Sequence, residues 1–202
     1  MGRFPRLSSF VRVRQVTCKN LVGAAEINFA GACAMRNLEA KFRLDDAVLA
    51  RRRAEAIGFS MRATLDQRDT FFRVPNGKLK LRIEADGAVL IRYGRVHEGE
   101  LEVSDYEIVP VANPGPLRAM LAAALGILAE VRKQRTLLLR RNVRLHLDRV
   151  DGLGSFGEIE AVIAAGETPE LYRLEVAELL SALKIDADNL IGRSYFELIT
   201  DG

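Results

Sequence analysis

Between residues 142 and 161 the chain alternates charged and apolar side chains across a glycine-rich reversal. Arg144, His146 and Asp148 share one parity, and Val143, Leu145 and Leu147 the other. After Gly152-Leu153-Gly154, Glu158 and Glu160 alternate with Ile159 and Ala161. A period of two places successive side chains on opposite faces of a strand, so this stretch reads as a β-hairpin with one charged face. Such a face is either a wetted surface or the wall of a polar cavity.

The same parity recurs. Asn37, Glu39, Lys41 and Arg43 oppose Leu38, Ala40, Phe42 and Leu44, and Lys80, Arg82 and Glu84 oppose Leu79, Leu81 and Ile83. Lys133 and Arg135 share a parity further on. Asn76-Gly77 and Asp86-Gly87 are turn signals around strands at 78–84 and 88–95. Further strands are expected at 36–44, within 60–73, and at 101–109, 131–139, 142–149 and 156–163. Helices are expected at 45–57, where Asp45 and Asp46 lead and Gly58 follows, from Pro114 to near Gly126, and from Pro169 to about Leu183. A short helix or turn is expected at 194–199. The fold class is therefore α+β, with about eight antiparallel strands.

Composition narrows the function. No apolar run reaches the roughly 20 residues of a membrane span. The net charge of +3 is concentrated at the start: residues 1–34 hold five basic residues and one acid, leaving 25 Lys and Arg against 26 Asp and Glu. A near-neutral body with 6% aromatics and no tryptophan argues against a nucleic-acid-binding barrel. Both cysteines, Cys18 and Cys33, lie in the first 34 residues, so the body from Met35 has no disulfide or thiol chemistry. That fits a reducing compartment, and a cytoplasmic location is expected. Residues 1–34 are Arg-rich and acid-poor and read as a disordered arm or a start-site extension, with residues 35–202 as one domain.

The charged parity contains two groups. Lys41, Lys80, Arg82, Lys133, Arg135 and Arg144 are cationic, and Glu39, Asp148, Glu158 and Glu160 are anionic. If the sheet closes with helices outside, these residues line a lumen. Six enclosed cations repel one another unless a polyanion neutralises them, and neighbouring carboxylates suit a hard divalent ion. A phosphate-rich ligand meets both conditions.

Asn37-Leu38-Glu39-Ala40-Lys41 resembles the E-x-E-x-K signature of the CYTH group, the triphosphate tunnel metalloenzymes. The resemblance continues through Asp69-Thr70-Phe71-Phe72, Lys78 to Arg82, Ser104-Asp105-Tyr106, Val131 to Arg135, Asn142 to Asp148, Gly152 to Glu160, Asp188-Asn189-Leu190 and Ser194-Tyr195. It implies an eight-stranded antiparallel tunnel around a triphosphate such as ATP or tripolyphosphate. Glu39, Asp148, Glu158 and Glu160 would hold Mg²⁺ or Mn²⁺, and the six cations would bind phosphate oxygens. The basic residue usual in the fourth strand is Arg95, or Arg92 if the register slips. Lys41 and Glu160 are the expected catalytic residues. Asn37 replaces the first glutamate of the signature; its amide can ligate a cation but brings no charge, so weaker metal binding is expected.

Within this group the chain looks most like the bacterial class IV adenylyl cyclases, through Gly152 to Glu160. A triphosphatase acting on an inorganic, thiamine or nucleoside triphosphate is the alternative, and a non-catalytic polyphosphate-binding module is another. His146 reads as a hydrogen-bonding wall residue, His97 as loop surface, and Tyr195 as either a cap on the tunnel or a packing residue. The sequence leaves a homodimer open.

Overall fold

A computed structural model of the protein describes residues 33–98 and 101–200. The strands are β1 (Cys33–Arg43), β2 (Ser60–Phe72), β3 (Lys78–Glu84), β4 (Gly87–Glu98), β5 (Leu101–Pro110), β6 (Ile127–Arg140), β7 (Val143–Val150) and β8 (Gly154–Val162). The helices are α1 (Ala47–Ala56), α2 (Pro114–Leu125), α3 (Glu170–Leu183) and α4 (Tyr195–Thr200). All eight strands form one closed antiparallel barrel in the order β1-β5-β4-β3-β2-β6-β7-β8. Residues 1–32 of the N-terminal segment lie outside the described residues; β1 itself begins at Cys33.

Local chemistry fixes the corners. Asp46 accepts hydrogen bonds from the Val48 and Leu49 amides at 2.9 Å and starts α1. Gly77 turns β2 into β3 with φ +67°; a Cβ there would lie 2.8 Å from the Tyr93 carbonyl oxygen. The β6–β7 corner is a two-residue turn, Arg141-Asn142, with Arg141 at φ 54°. Strand β6 starts at Ile127, four residues earlier than periodicity indicates, because Gly126 ends α2 and the chain pairs at once with Phe72.

The barrel carries its largest apolar cluster on the outside. Leu38, Ala40 and Phe42 of β1, with Leu145 and Ile159, pack against Ala50 and Ala54 of α1 and Val176, Leu179 and Leu183 of α3. With that parity committed to the helices, Asn37, Glu39 and Lys41 point inward. A second apolar set, including Phe71, Ile91, Ile108 and Val131, fills part of the lumen. Phe42 is fully buried with its ring directly on Gly157, its partner in the β1–β8 ladder. A Cβ at Gly157 would meet that ring at 2.1 Å. Gly157→Ala is therefore expected to destabilise the fold by about 2–3 kcal/mol in urea denaturation, the usual scale for overpacking a rigid core.

Candidate triphosphate-binding site

The barrel encloses a cavity of about 120 Å³. Its wall includes six cations (Lys41, Lys80, Arg82, Lys133, Arg135, Arg144) and four carboxylates (Glu39, Asp69, Glu158, Glu160). Every cation expected from strand parity converges there, and five of the six are at most 8% exposed, Lys80 somewhat more so.

The charges are interleaved. Arg82 donates from Nε and Nη2 to the two oxygens of Asp69 at 2.7 and 2.6 Å, and Lys80 lies 3.3 Å from the same carboxylate. Arg135 forks onto Asp148 at 2.7 and 2.6 Å, with Lys133 at 3.3 Å. Lys41 pairs with Glu158 Oε1, while Oε2 of Glu158 takes Arg135 Nη2 at 3.0 Å. Arg144 lies 3.5 Å from Glu160. The sequence pointed to six cations awaiting a polyanion; the folded chain already offsets much of that charge with its own carboxylates.

A positive potential nevertheless prevails. Burial raises the carboxyl pKa of Asp69, Asp148, Glu158 and Glu160, yet the adjoining cations hold all four below the usual range. Burial and then Arg82 lower Lys80 to about 7, and burial and then Arg135 lower Lys133 to about 8. The two cation-rich strands, β3 and β6, flank β2 on one side of the ring. Glu160, Glu39 and Glu102 occupy one ladder row across β8, β1 and β5 on the other.

Several expectations need revision. Asp148 is not in the cavity lining: Arg135, Lys133 and the Tyr195 hydroxyl, at 2.9 Å, occupy its oxygens, and its side chain has no exposed surface. Arg92 does not reach the lumen; β4 carries no bulge there, so Arg92 points outward, 61% exposed, with Glu107 at 3.6 Å. Arg95 pairs in register with Ser104, whose side chain lines the cavity. The side chains of Arg95 and His97 lie outside the described residues. Asp69 was missed as a site residue, although its place opposite Arg82 in a hairpin held the clue.

His146 is a wall residue, as its parity indicates. Its Nδ1 lies 3.3 Å from Glu158 and 3.5 Å from Glu160. Burial, then Arg135, lowers its pKa, so the ring is neutral near pH 7. One atom each from His146, Glu158 and Glu160 lie within 4.8 Å of one another. The carboxylate oxygens suit Mg²⁺ or Mn²⁺, the imidazole is a poorer donor to Mg²⁺, and Glu39 stands beside Glu160 in the ladder. Asn37 lies in the same wall, its Oδ1 3.4 Å from the Tyr106 hydroxyl.

Tyr195 closes one part of the wall from α4. Its ring lies under Lys41 and Lys133, each about 4.9 Å or less from the centroid. Glu197 Oε2 accepts from the Ser194 amide at 2.7 Å and its hydroxyl at 2.5 Å at the start of that helix, and Lys78 binds Glu197 at 2.8 Å.

The CYTH domain matches residues 35–195. The chain belongs to the CYTH family. It is similar to "Putative adenylate cyclase MJ0240" of Methanocaldococcus jannaschii, at 28% identity over an alignment of 174 residues that covers 81% of this chain and 98% of that protein. PH1012 of Pyrococcus horikoshii OT3 shares the fold with a TM-score of 0.72 and 22% identity, covering 80% of this chain and 98% of that one. A structure from Vibrio parahaemolyticus, named a "putative adenylate cyclase", gives 0.68 and 19%, covering 81% and 97%. CYTH members are adenylyl cyclase-like enzymes or triphosphatases, and its tunnel enzymes are in general metal-dependent. Among the described residues no helix is long and apolar enough to cross a membrane.

The lysines give the apo protein a distinctive pH response. Folded pKa values of about 7 and 8 lie below the 10.5 of an ordinary lysine, so from about pH 7 to 10.5 the folded state holds fewer protons than the unfolded chain. Stability from these groups therefore rises with pH across that window, by on the order of 1 kcal/mol per unit. Urea denaturation at pH 7 and pH 9 should show the rise, and Lys80→Met should flatten it.

Proposed function

We propose that this protein is a metal-dependent enzyme that binds a triphosphate in its barrel, acting as an adenylyl cyclase of the class IV type: ATP to cyclic AMP and pyrophosphate. The observation that carries the reading is the ring of six cations in one wall, beside which Asp69, Asp148, Glu158 and Glu160 are held below the usual carboxyl range. Tetrahedral phosphoryl groups carrying several charges match forked arginine donors and compact lysines.

In this reading Lys41, Lys80, Arg82, Lys133, Arg135 and Arg144 bind phosphate oxygens, with Arg95 assigned to the same set. Glu39, Glu158 and Glu160, with His146 beside them, would hold Mg²⁺ or Mn²⁺. The ion would supply charge neutralisation at the phosphate and polarise the reacting oxygens. Lys41 exchanges its pairing with Glu158 for a phosphate oxygen and steadies charge on the departing pyrophosphate. Glu160 stays ionised beside Arg144, 3.5 Å away. The barrel wall keeps bulk water away while the 3′-hydroxyl attacks the α-phosphorus. We assign the protein to the cytoplasm because the chain from Met35 onward has no cysteine.

The cavity also supports a second reading. Pockets that enclose whole organic ligands run to several hundred Å³. About 120 Å³ suits a phosphate chain, with any nucleoside left at the mouth. A triphosphatase would use the same wall with water as nucleophile. Purified protein incubated with ATP or tripolyphosphate and Mn²⁺ separates them. Cyclic AMP with pyrophosphate is the expected product; orthophosphate without cyclic AMP assigns a triphosphatase, and tight tripolyphosphate binding with no turnover assigns a non-catalytic module.

Asn37 sets the metal affinity in this scheme. Replacing it with glutamate restores a carboxylate beside Glu39, and affinity in carboxylate sites rises with ligand charge. Asn37→Glu is expected to tighten Mn²⁺ binding about tenfold in calorimetric titration; unchanged affinity would remove Asn37 from the metal set.

A further inference from the structure

Two parts of the ring repeat one arrangement. On β3 and β6 the pattern is lysine, one residue, arginine: Lys80 and Arg82, then Lys133 and Arg135. Directly across the ladder from each arginine stands an aspartate, Asp69 on β2 and Asp148 on β7. In both, arginine Nε meets Oδ1 at 2.7 Å, Nη2 meets Oδ2 at 2.6 Å, and the lysine lies 3.3 Å from Oδ2. The connections differ: Asp69 precedes its arginine in the chain and Asp148 follows.

We propose that Asp69 and Asp148 are positioning residues: each holds its arginine side-on, so that the guanidinium's end-on edge and the adjacent lysine present a fixed clamp for one phosphoryl group. This rests on the triphosphate reading. A guanidinium has two edges able to take a pair of oxygens. The aspartate takes the Nε/Nη2 edge and leaves Nη1/Nη2, and both arginines line the cavity. On Arg135 the second hydrogen of Nη2 goes to Glu158 at 3.0 Å, so a phosphate oxygen on that edge must displace Glu158 from Nη2. The four strands are neighbours in the order β3, β2, β6, β7, so the two clamps adjoin. They fit a ligand with at least two linked phosphoryl groups.

Stability alone gives no reason for these pairs, because buried ion pairs contribute little over apolar residues of similar volume. Simple electrostatics opposes them: a carboxylate beside a polyanion site repels the ligand. Positioning predicts the reverse sign. The experiment is calorimetric titration of the full chain with tripolyphosphate, as wild type, Asp69→Asn and Asp148→Asn. An amide keeps the size but turns an NH₂ toward the guanidinium. Each variant is expected to bind about tenfold more weakly, the scale typical of residues that orient a ligand-binding group from behind. Unchanged or tighter binding overturns the proposal.

A pH series gives a readout that general loosening would not move. Lys80 faces Asp69 and the Phe71 ring from β2, Arg82 on its own strand, Lys133 and Arg135 from β6, and the Tyr93 ring from β4. Without Asp69 its charged form is held less firmly, so the alkaline limb of binding should move to lower pH in Asp69→Asn; an unmoved limb counts against the proposal. If neither variant folds, the wild type decides. The Arg82 and Arg135 Nε–H signals in nitrogen-15 NMR should stay protected from exchange at saturating tripolyphosphate, and their collapse overturns the clamps. Failure of the wild type to bind tripolyphosphate instead removes the triphosphate reading itself.

Discussion

Closure of the sheet governs everything else in this protein. An open sheet with the same alternation would keep its charged face in water and its apolar face on helices, an ordinary arrangement. Three ladders between strands distant in sequence, β1–β5, β1–β8 and β2–β6, join the ends. The face turned away from α1 and α3 then becomes an interior. Ions such as Arg135 and Asp148 lose their water and must be satisfied by one another. The helices matter for the same reason: Val176, Leu179 and Leu183 of α3 and Ala54 of α1 fix which face of β1 and β8 is outside.

Charge within the ring is distributed unevenly, and that asymmetry gives the cavity a direction. The strands from β3 through β6 carry lysines and arginines in excess of their aspartates. The row through β8, β1 and β5 carries Glu160, Glu39 and Glu102. Lys41 on β1 and Arg144 on β7 stand between, each beside a glutamate. In the triphosphate reading the cationic side would take phosphate oxygens and the acidic side would suit a divalent ion. Burial first, and then the neighbouring arginines, lowers the Lys80 and Lys133 pKa values on the cationic side.

The strand parity and most of the hairpins were legible in the sequence, because they are local: a side chain's face follows from counting by two, and Gly77 and Gly152 mark corners where φ is positive. Parity alone brought all six cations to one place. Partners across a ladder were less accessible. Asp69 could be matched with Arg82 only once the β2–β3 register was known, and Asp148 shared its parity with the wall yet sits behind it. Parity gives the face, whereas depth depends on neighbouring bulk, here the Tyr195 ring delivered by α4 from the far end of the chain. Arg92 shows the converse: two arginines of opposite parity competed for one role, and an unbroken β4 ladder puts Arg92 outside.

Asn37 joins these threads. Its Oδ1 is 3.4 Å from the Tyr106 hydroxyl, and that hydroxyl receives Arg144 Nη2 at 3.3 Å. A hydroxyl that accepts from an arginine can give its own proton to an amide oxygen, so Arg144, Tyr106 and Asn37 form a consistent donor chain across β7, β5 and β1. The amide therefore keeps the polar contact open to a glutamate at that position but withholds its charge. With Glu39 and Glu160 already adjacent in the ladder, a third carboxylate would add repulsion in the absence of a metal. An amide at position 37 adds no such repulsion, and Arg144, held by Tyr106 and Glu160, lines the cavity.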